Sequence, residues 1–225
     1  MNTELFTGKA RVYAQARPGY PREAVEYITS LAPQSAVFAD IGAGTGKLTV
    51  PLAEYGYEIF AAEPNADMRR QLAAAAARFP NVKITEGTAE ATAIPGGSVD
   101  VIVCAQALHW FDPGAFRAEC RRIGKSGALV IAVYNNTPGG GSVAHSAEST
   151  RAFFGNPVVR EFPNPISFTR ESWLQYMSSH SHDPLPADPD YAAHIAEMSA
   201  LFDRESKDGL LWREVTTAVY SESAR

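Results

Sequence analysis

The 225-residue chain is poor in cysteine, in positive charge and in long apolar runs. Its two cysteines, Cys104 and Cys120, are too few for a disulfide framework. Cys104 lies in an apolar strand-like run and Cys120 on the apolar face of a helix-like one. Both read as buried thiols of a reducing compartment. Lys and Arg number 20 against 25 Asp and Glu, a net charge of −5. That balance argues against nucleic acid or an anionic membrane as partner, since both require a basic face. The pairs Arg69-Arg70 and Arg121-Arg122 read as solvated helix faces. No stretch reaches the ~18 consecutive apolar residues of a membrane span. The first residues include Glu4 and lack the apolar core of a signal peptide. A cytoplasmic protein is expected. No internal repeat and no low-complexity tail are present, so one domain is expected. Oligomeric state has no signal in the sequence.

What is present, from about residue 35 to 135, is alternation. "AVFADI" (36–41), "YEIFAAE" (57–63), "VKITEG" (82–87), "VDVIVCAQ" (99–106) and "ALVIAVY" (128–134) are short apolar runs bounded by turn residues, and read as strands. Between them, Met68, Leu72, Ala75 or Ala76, and Phe79 fall on one helical face, as do Phe116, Cys120 and Ile123. Strands alternating with helices predict an α/β fold, doubly wound, with a mostly parallel sheet covered on both faces. Such sheets place their sites at the carboxyl ends of strands. Before this core, Pro21 suits the first turn of a helix running to about Leu31. After it, "NNTPGGGS" (135–142) is a loop, and helices are expected near 144–154, 170–179 and 190–205. The run "LWREVTTAVYS" (211–221) alternates and reads as a returning edge strand.

The stretch "ADIGAGTGKLT" (39–49) resembles a phosphate loop only superficially. That motif needs Gly, four residues, then Gly-Lys-Ser/Thr. Here Ile41 stands where the first Gly belongs and Leu48 where the hydroxyl belongs. The dinucleotide fingerprint is weakened, because Lys47 replaces its third Gly, although an acid stands at Glu63. The loop spells Asp-x-Gly-x-Gly-x-Gly instead, with Asp40 two residues before Gly42. A carboxylate there would repel a pyrophosphate and attract a cation. S-adenosylmethionine (SAM), with a sulfonium, an ammonium and no phosphate, suits it. Glu63, closing the second strand, suits a ribose diol. A tight strand-to-helix turn without a ligand is the alternative.

Four motifs in order, "VFADIGAGTGKL", "AAEPNADM", "GTAEATAIPGGSVDVIV" and "CAQALHWFD", resemble the class I SAM-dependent methyltransferases, in particular their small-molecule subgroup of trans-aconitate and ubiquinone- or biotin-pathway type. The resemblance covers nearly the whole chain, since "YAQARPGYP" and the C-terminal segments also resemble a bacterial subgroup. It implies a Rossmann-like, seven-stranded sheet with an N-terminal lid helix (1–34), a SAM-binding core (35–135), a helical cap over an acceptor pocket (136–210) and a final edge strand (211–225). It implies that Asp40, Gly42 and Gly44 contact the methionine part of SAM and that Glu63 takes the ribose. It places Met68 near the adenine, Ala89 N–H on the ring, Glu90 at the exocyclic amine and Gln106 beside the sulfonium. Tyr13 and Arg17 would close the lid, with Arg17 on the SAM carboxylate; ordinary packing and a surface charge are the alternative for these two.

Methyl transfer needs alignment and exclusion of water more than it needs a base. His109, just past the fourth strand, is the candidate base or acceptor-orienting group. Its alternative is a histidine bonded to backbone beside Trp110. Base-methylating enzymes resemble one another in an Asn/Asp-Pro-Pro-aromatic motif at this place, where this chain has Ala105-Gln106-Ala107-Leu108. A paired-glutamate loop of the protein-arginine type is also missing. A small-molecule acceptor is therefore expected. His180, His182 and Asp183 suggest zinc, but they lie in a Pro-rich loop with no third ligand fixed in register, and Asp112 alone follows strand four. No metal is expected. Lys47 reads as a solvated first-turn residue. Phe153, Phe154, Trp173, Tyr176 and Met177 either line the acceptor pocket or form the cap's own core. A SAM-binding sensor or cyclase-like protein, and an NAD(P)-dependent oxidoreductase, are the competing functional readings.

Overall fold

The computed structural model describes residues 7–138, 141–180 and 183–224. The chain opens with two helices, α1 (Ala10–Ala16) and α2 (Arg22–Ser30). The strand β1 (Val37–Ile41) leads into α3 (Thr49–Glu54), β2 (Glu58–Ala62) into α4 (Ala66–Ala76), and β3 (Val82–Thr85) follows. Next come β4 (Val99–Ala105), a 3-10 turn (Leu108–Trp110), α5 (Pro113–Ile123) and a long β5 (Gly124–Asn136). The C-terminal third holds α6 (Gly141–Phe153), β6 (Val158–Pro163), β7 (Ile166–Phe168), α7 (Arg170–Met177), α8 (Tyr191–Glu205), β8 (Leu211–Arg213) and β9 (Thr216–Ser223).

Seven strands form one sheet in the order β3-β2-β1-β4-β5-β9-β6. Pairing is parallel from β3 through β5, while β9 is antiparallel to both its neighbours. Successive residues of the central strands divide between two cores. Phe38, Val101, Val103, Ile131 and Val133 face α2 and α3, and Ala39, Ile102, Cys104, Val130 and Ala132 face α5 and α6. Both faces are covered, so the strands read as continuous apolar runs. Cys104 and Cys120 are buried free thiols on the second of these faces. Within α4 the buried position is Ala76, alongside Met68 and Leu72; Ala75 is exposed.

The terminal strand is not an edge. β9 pairs with β5 on one side and β6 on the other, and Thr217, Ala218 and Val219 are buried in succession. Alternation over 211–221 is a property of side-chain facing and does not count the neighbours a strand has. The same run is also split, because β8 leaves the main sheet to pair with β7. Nor is 136–210 wholly helical: it supplies β6, the edge on this side of the sheet. That strand exposes Val158 and Val159 but carries Arg160 and Glu161 and ends at Pro163, features that discourage further pairing.

The remaining elements, β7, α7, α8 and β8, have a small core of their own. Phe168, Trp173, Met198, Phe202 and Leu211 are buried together there, apart from the two sheet cores. Phe153 and Phe154 belong instead to the sheet, packed with Phe116 and Tyr220.

Candidate active site

The loop after β1 turns sharply enough to need left-handed backbone at Gly42, Gly44 and Gly46 (φ +68°, +57° and +87°). Two of these glycines are needed for different reasons. A Cβ on Gly42 would lie 2.9 Å from Ala107 Cβ and 3.2 Å from the Phe111 ring. A Cβ on Gly44 would meet nothing closer than Gly42 O at 4.0 Å, because that residue faces open space. Gly42 thus serves packing, and Gly44 leaves room for a ligand. The loop is tied to β2 by Gly42 N and Ala43 N, which donate to Ala62 O at 2.9 and 3.1 Å.

Glu63 closes β2, 7% exposed. Its carboxylate accepts from Gly44 N and from Asn65 N, each at 2.8 Å. These fix the carboxylate while leaving each oxygen a lone pair. Burial raises its pKa despite the two donors. Asn65 also caps α4, accepting from Asp67 N and Met68 N.

Asp40 is 1% exposed. One oxygen accepts from Thr49 Oγ1 at 2.6 Å, and the other, Oδ1, is buried with no hydrogen-bond partner among the described residues. Burial pushes its pKa up to about 7. Thr45 Oγ1 and Arg17 Nε are buried and unpartnered in the same way. Arg17, at the end of α1, lies between two rings, 5.3 Å from the centroid of Tyr13 and 5.2 Å from that of Tyr176 on α7. It is therefore held inward between lid and cap, and is not a surface charge.

At the end of β4, Gln106 adopts φ +55°, a conformation a non-glycine residue rarely takes. Its N–H donates to Val133 O at 2.9 Å and its side-chain amide to Asn135 O at 3.3 Å. His109 follows on the 3-10 turn, half-buried, with ring centroids 4.8 Å from Trp110 and 6.2 Å from Tyr134.

Two cavities meet at Gln106. The smaller, of about 70 Å³, includes Glu63, Met68, Ala89 and Phe111 in its wall. The larger, of about 560 Å³, runs from Asp40 and the glycine loop past His109 to the cap. Tyr13, Gly42 and Gly44 border both, and Arg17 borders the larger. Every residue expected at the site thus borders a cavity except Glu90. In the turn closed by the Thr88–Ala91 bridge, Ala89 points inward, 2% exposed. Glu90 lines neither cavity and accepts from Asp112 N at 3.2 Å.

Other expectations need correction. Lys47 is half-buried and borders the larger cavity, with its pKa lowered by burial. It lies in the turn before α3, so it is not a helix residue, and the wall of the larger cavity takes part of it out of water. Arg69 reaches back to Glu63 O at 2.9 Å and pairs with Glu86 at 2.9 Å, so it braces the end of β2 rather than facing water. Trp173, Tyr176 and Met177 border the larger cavity, whereas Phe153 and Phe154 do not. His180 Nδ1 lies 2.8 Å from Asp183 Oδ2, and His182 lies outside the described residues. Among the described residues no three His, Cys, Asp or Glu are grouped to hold a metal. Thr45, Tyr134, Asn135 and Arg213 join the cavity wall unannounced by any local pattern.

A sheet of this order with an acid-led glycine loop defines a Rossmann-like, nucleoside-binding class. Comparison with known proteins narrows it. The methyltransferase domain family model matches residues 39–132. An uncharacterized methyltransferase of Mycobacterium tuberculosis is 30% identical over 191 residues, covering 83% of this chain and 76% of that one. Among solved structures, a type II methyltransferase candidate from Anaeromyxobacter dehalogenans superposes with a TM-score of 0.69 at 25% identity, over 92% of this chain and 98% of that one. The [4+2]-cyclase SpnF shares the fold at 13% identity with a TM-score of 0.60, over 97% and 92%. The chain belongs to the class I SAM-dependent methyltransferases, with SAM as its cofactor.

Proposed function

We propose that the chain methylates a small organic molecule seated in the larger cavity, and that the residues lining the two cavities divide the work between donor and acceptor. The observation that carries this is that Asp40, Thr45 and Arg17 all border one cavity and each holds a buried polar atom (Oδ1, Oγ1 and Nε) with no hydrogen-bond partner among the described residues. A carboxylate, a hydroxyl and a guanidinium together suit a ligand end bearing both an ammonium and a carboxylate. Asp40 and Thr45 then face the ammonium, and Arg17 faces the carboxylate. Glu63, already oriented by two backbone donors, offers its remaining lone pairs to the ribose diol. Met68 and Ala89 wall the adenine pocket, and the backbone N–H of Ala89 serves the ring. Gln106, where the two cavities meet, stands beside the sulfonium.

When bound, SAM supplies a methyl group activated by a cationic sulfur, ready for in-line displacement. The protein's part is alignment and exclusion of water, which lid and cap together provide. His109 borders the acceptor side and orients the acceptor or takes its proton. The two buried free thiols and the acidic charge balance agree with a cytoplasmic enzyme and disfavour a nucleic-acid acceptor. Among the described residues no helix is long and apolar enough to cross a membrane.

Calorimetric titration tests the donor site: S-adenosylhomocysteine (SAH) should bind and NAD(P)H should not. Tighter binding of NAD(P)H would sink the reading. Because a cyclase shares the fold, turnover is tested separately, as SAH released from SAM in the presence of a metabolite extract. His109→Ala should lower that rate by about 10²-fold if the residue moves a proton. An unchanged rate removes the base and leaves the enzyme class standing.

A further inference from the structure

The charge inside the larger cavity runs against that of the whole molecule. In a chain of net charge −5, its described wall carries three basic side chains, Arg17, Lys47 and Arg213, against one carboxyl group, Asp40. Arg213 is neutralised by Glu205 at 2.9 Å and lies 5.0 Å over the Trp173 ring. Under the donor arrangement proposed above, on which this inference rests, Asp40 and Arg17 are taken by the two ends of SAM. Lys47 and the donor's sulfonium then remain without a negative counterpart. Lys47 makes no ion pair or hydrogen bond to any described residue. Its half-burial already lowers its pKa, so the ammonium sits there at a cost that a ligand anion would offset.

The rest of the acceptor side is mostly apolar and aromatic, with Trp110, Tyr134, Ile166, Phe168 and Trp173 in its wall, and His109, Asn135 and Thr137 are polar side chains that also border it. A single uncompensated ammonium in a cavity with such walls matches one negative charge on an apolar body. A doubly charged phosphate would leave excess negative charge against the same surface.

We propose that the methyl acceptor is an organic monocarboxylate with an apolar body, and that Lys47 holds its carboxylate. Lys47 is thus a specificity-determining residue.

The test uses the full chain saturated with SAH, titrated with phenylacetate, cinnamate and octanoate and with their neutral amides. SAH binding is measured first, so loss of the donor site would be recognised independently. At least one acid should bind about tenfold or more tighter than its amide. Lys47→Met should abolish that preference, Lys47→Arg should retain part of it, and both should bind SAH as the parent does. Inorganic phosphate should not compete with the acid. Two results would overturn the proposal: acids binding no tighter than their amides while SAH still binds, or Lys47→Met weakening SAH instead of the acid, which would return Lys47 to the donor's own carboxylate.

Discussion

Asp40 is buried with one oxygen on Thr49 and the other bare, and its pKa is raised to about 7 from an ordinary 3.8. The native state therefore holds this proton more tightly than the unfolded chain does. The sign follows: Asp40 costs the unliganded protein nothing below pH 4, and the cost grows as pH rises from about 4 to about 7, then stays. A ligand ammonium reverses the preference and favours the carboxylate. Two outcomes are expected. Asp40→Asn should stabilise the unliganded protein at pH 8 by ~2 kcal/mol, the gain from removing a charge less the cost of an unpartnered amide. The same variant should bind SAH at least about tenfold more weakly. In the parent, SAH binding at pH 6 should release a proton, seen by calorimetry in buffers of different ionisation enthalpy, and at pH 8.5 should not. A less stable variant with unaltered SAH affinity would show that Asp40 is structural. This residue was legible in the sequence because its position in the loop and its chemistry lie within one contiguous motif.

At the scale of elements, the lid is strapped down at both sides of its base. Lys9, 5% exposed, donates to His180 O at 2.9 Å and to Asp183 O, just beyond α7. On the other side, Gly8 N donates to Asp67 Oδ2 at 2.9 Å and Asn65 Nδ2 to Thr7 Oγ1 at 3.1 Å, both on the cofactor side. The straps position α1, which carries Tyr13 and leads into Arg17. Lys9→Met would leave two carbonyls without their ammonium at about 1 kcal/mol each. The amides of α1 should then exchange faster by hydrogen–deuterium mass spectrometry, and SAH affinity should fall several-fold. The melting temperature should change little, because α1 contributes to neither sheet core. Unchanged exchange across 10–16 would show that other contacts hold the lid. None of these straps was legible. Lys9 and His180 are far apart in sequence, and a lone lysine carries no period. The strands were legible because period and boundary residues are local. The place of β9 between β5 and β6 was not, because neighbour order is set by the whole sheet.

At the scale of the whole molecule, the donor and acceptor sites proposed above rest on different cores. Asp40, Glu63 and Gln106 sit at the ends of strands whose side chains fill the two sheet cores. The wall of the larger cavity at Phe168, Trp173 and Tyr176, the proposed acceptor side, rests on the small cluster of β7, α7, α8 and β8. Small clusters open at lower free energy than large ones, so the cap should fluctuate as a unit while the sheet stays closed. Trp173 is its centre: 4% exposed, 5.5 Å from Phe168 and 6.1 Å from Tyr176 by ring centroids, with Nε1 donating to Met198 O at 2.9 Å. The sequence marked Trp173 as either cavity wall or cap core, and it serves as both, which no periodicity separates. Trp173→Ala removes ring, hydrogen bond and Arg213 stacking together, a loss of about 3–5 kcal/mol to the cluster. Exchange should then accelerate across α7 and α8 and remain slow in β1, β4 and β5. Acceptor KM should rise at least about tenfold while SAH affinity stays within about twofold. Equal loss of protection in cap and sheet would instead show that the two cores open as one cooperative unit.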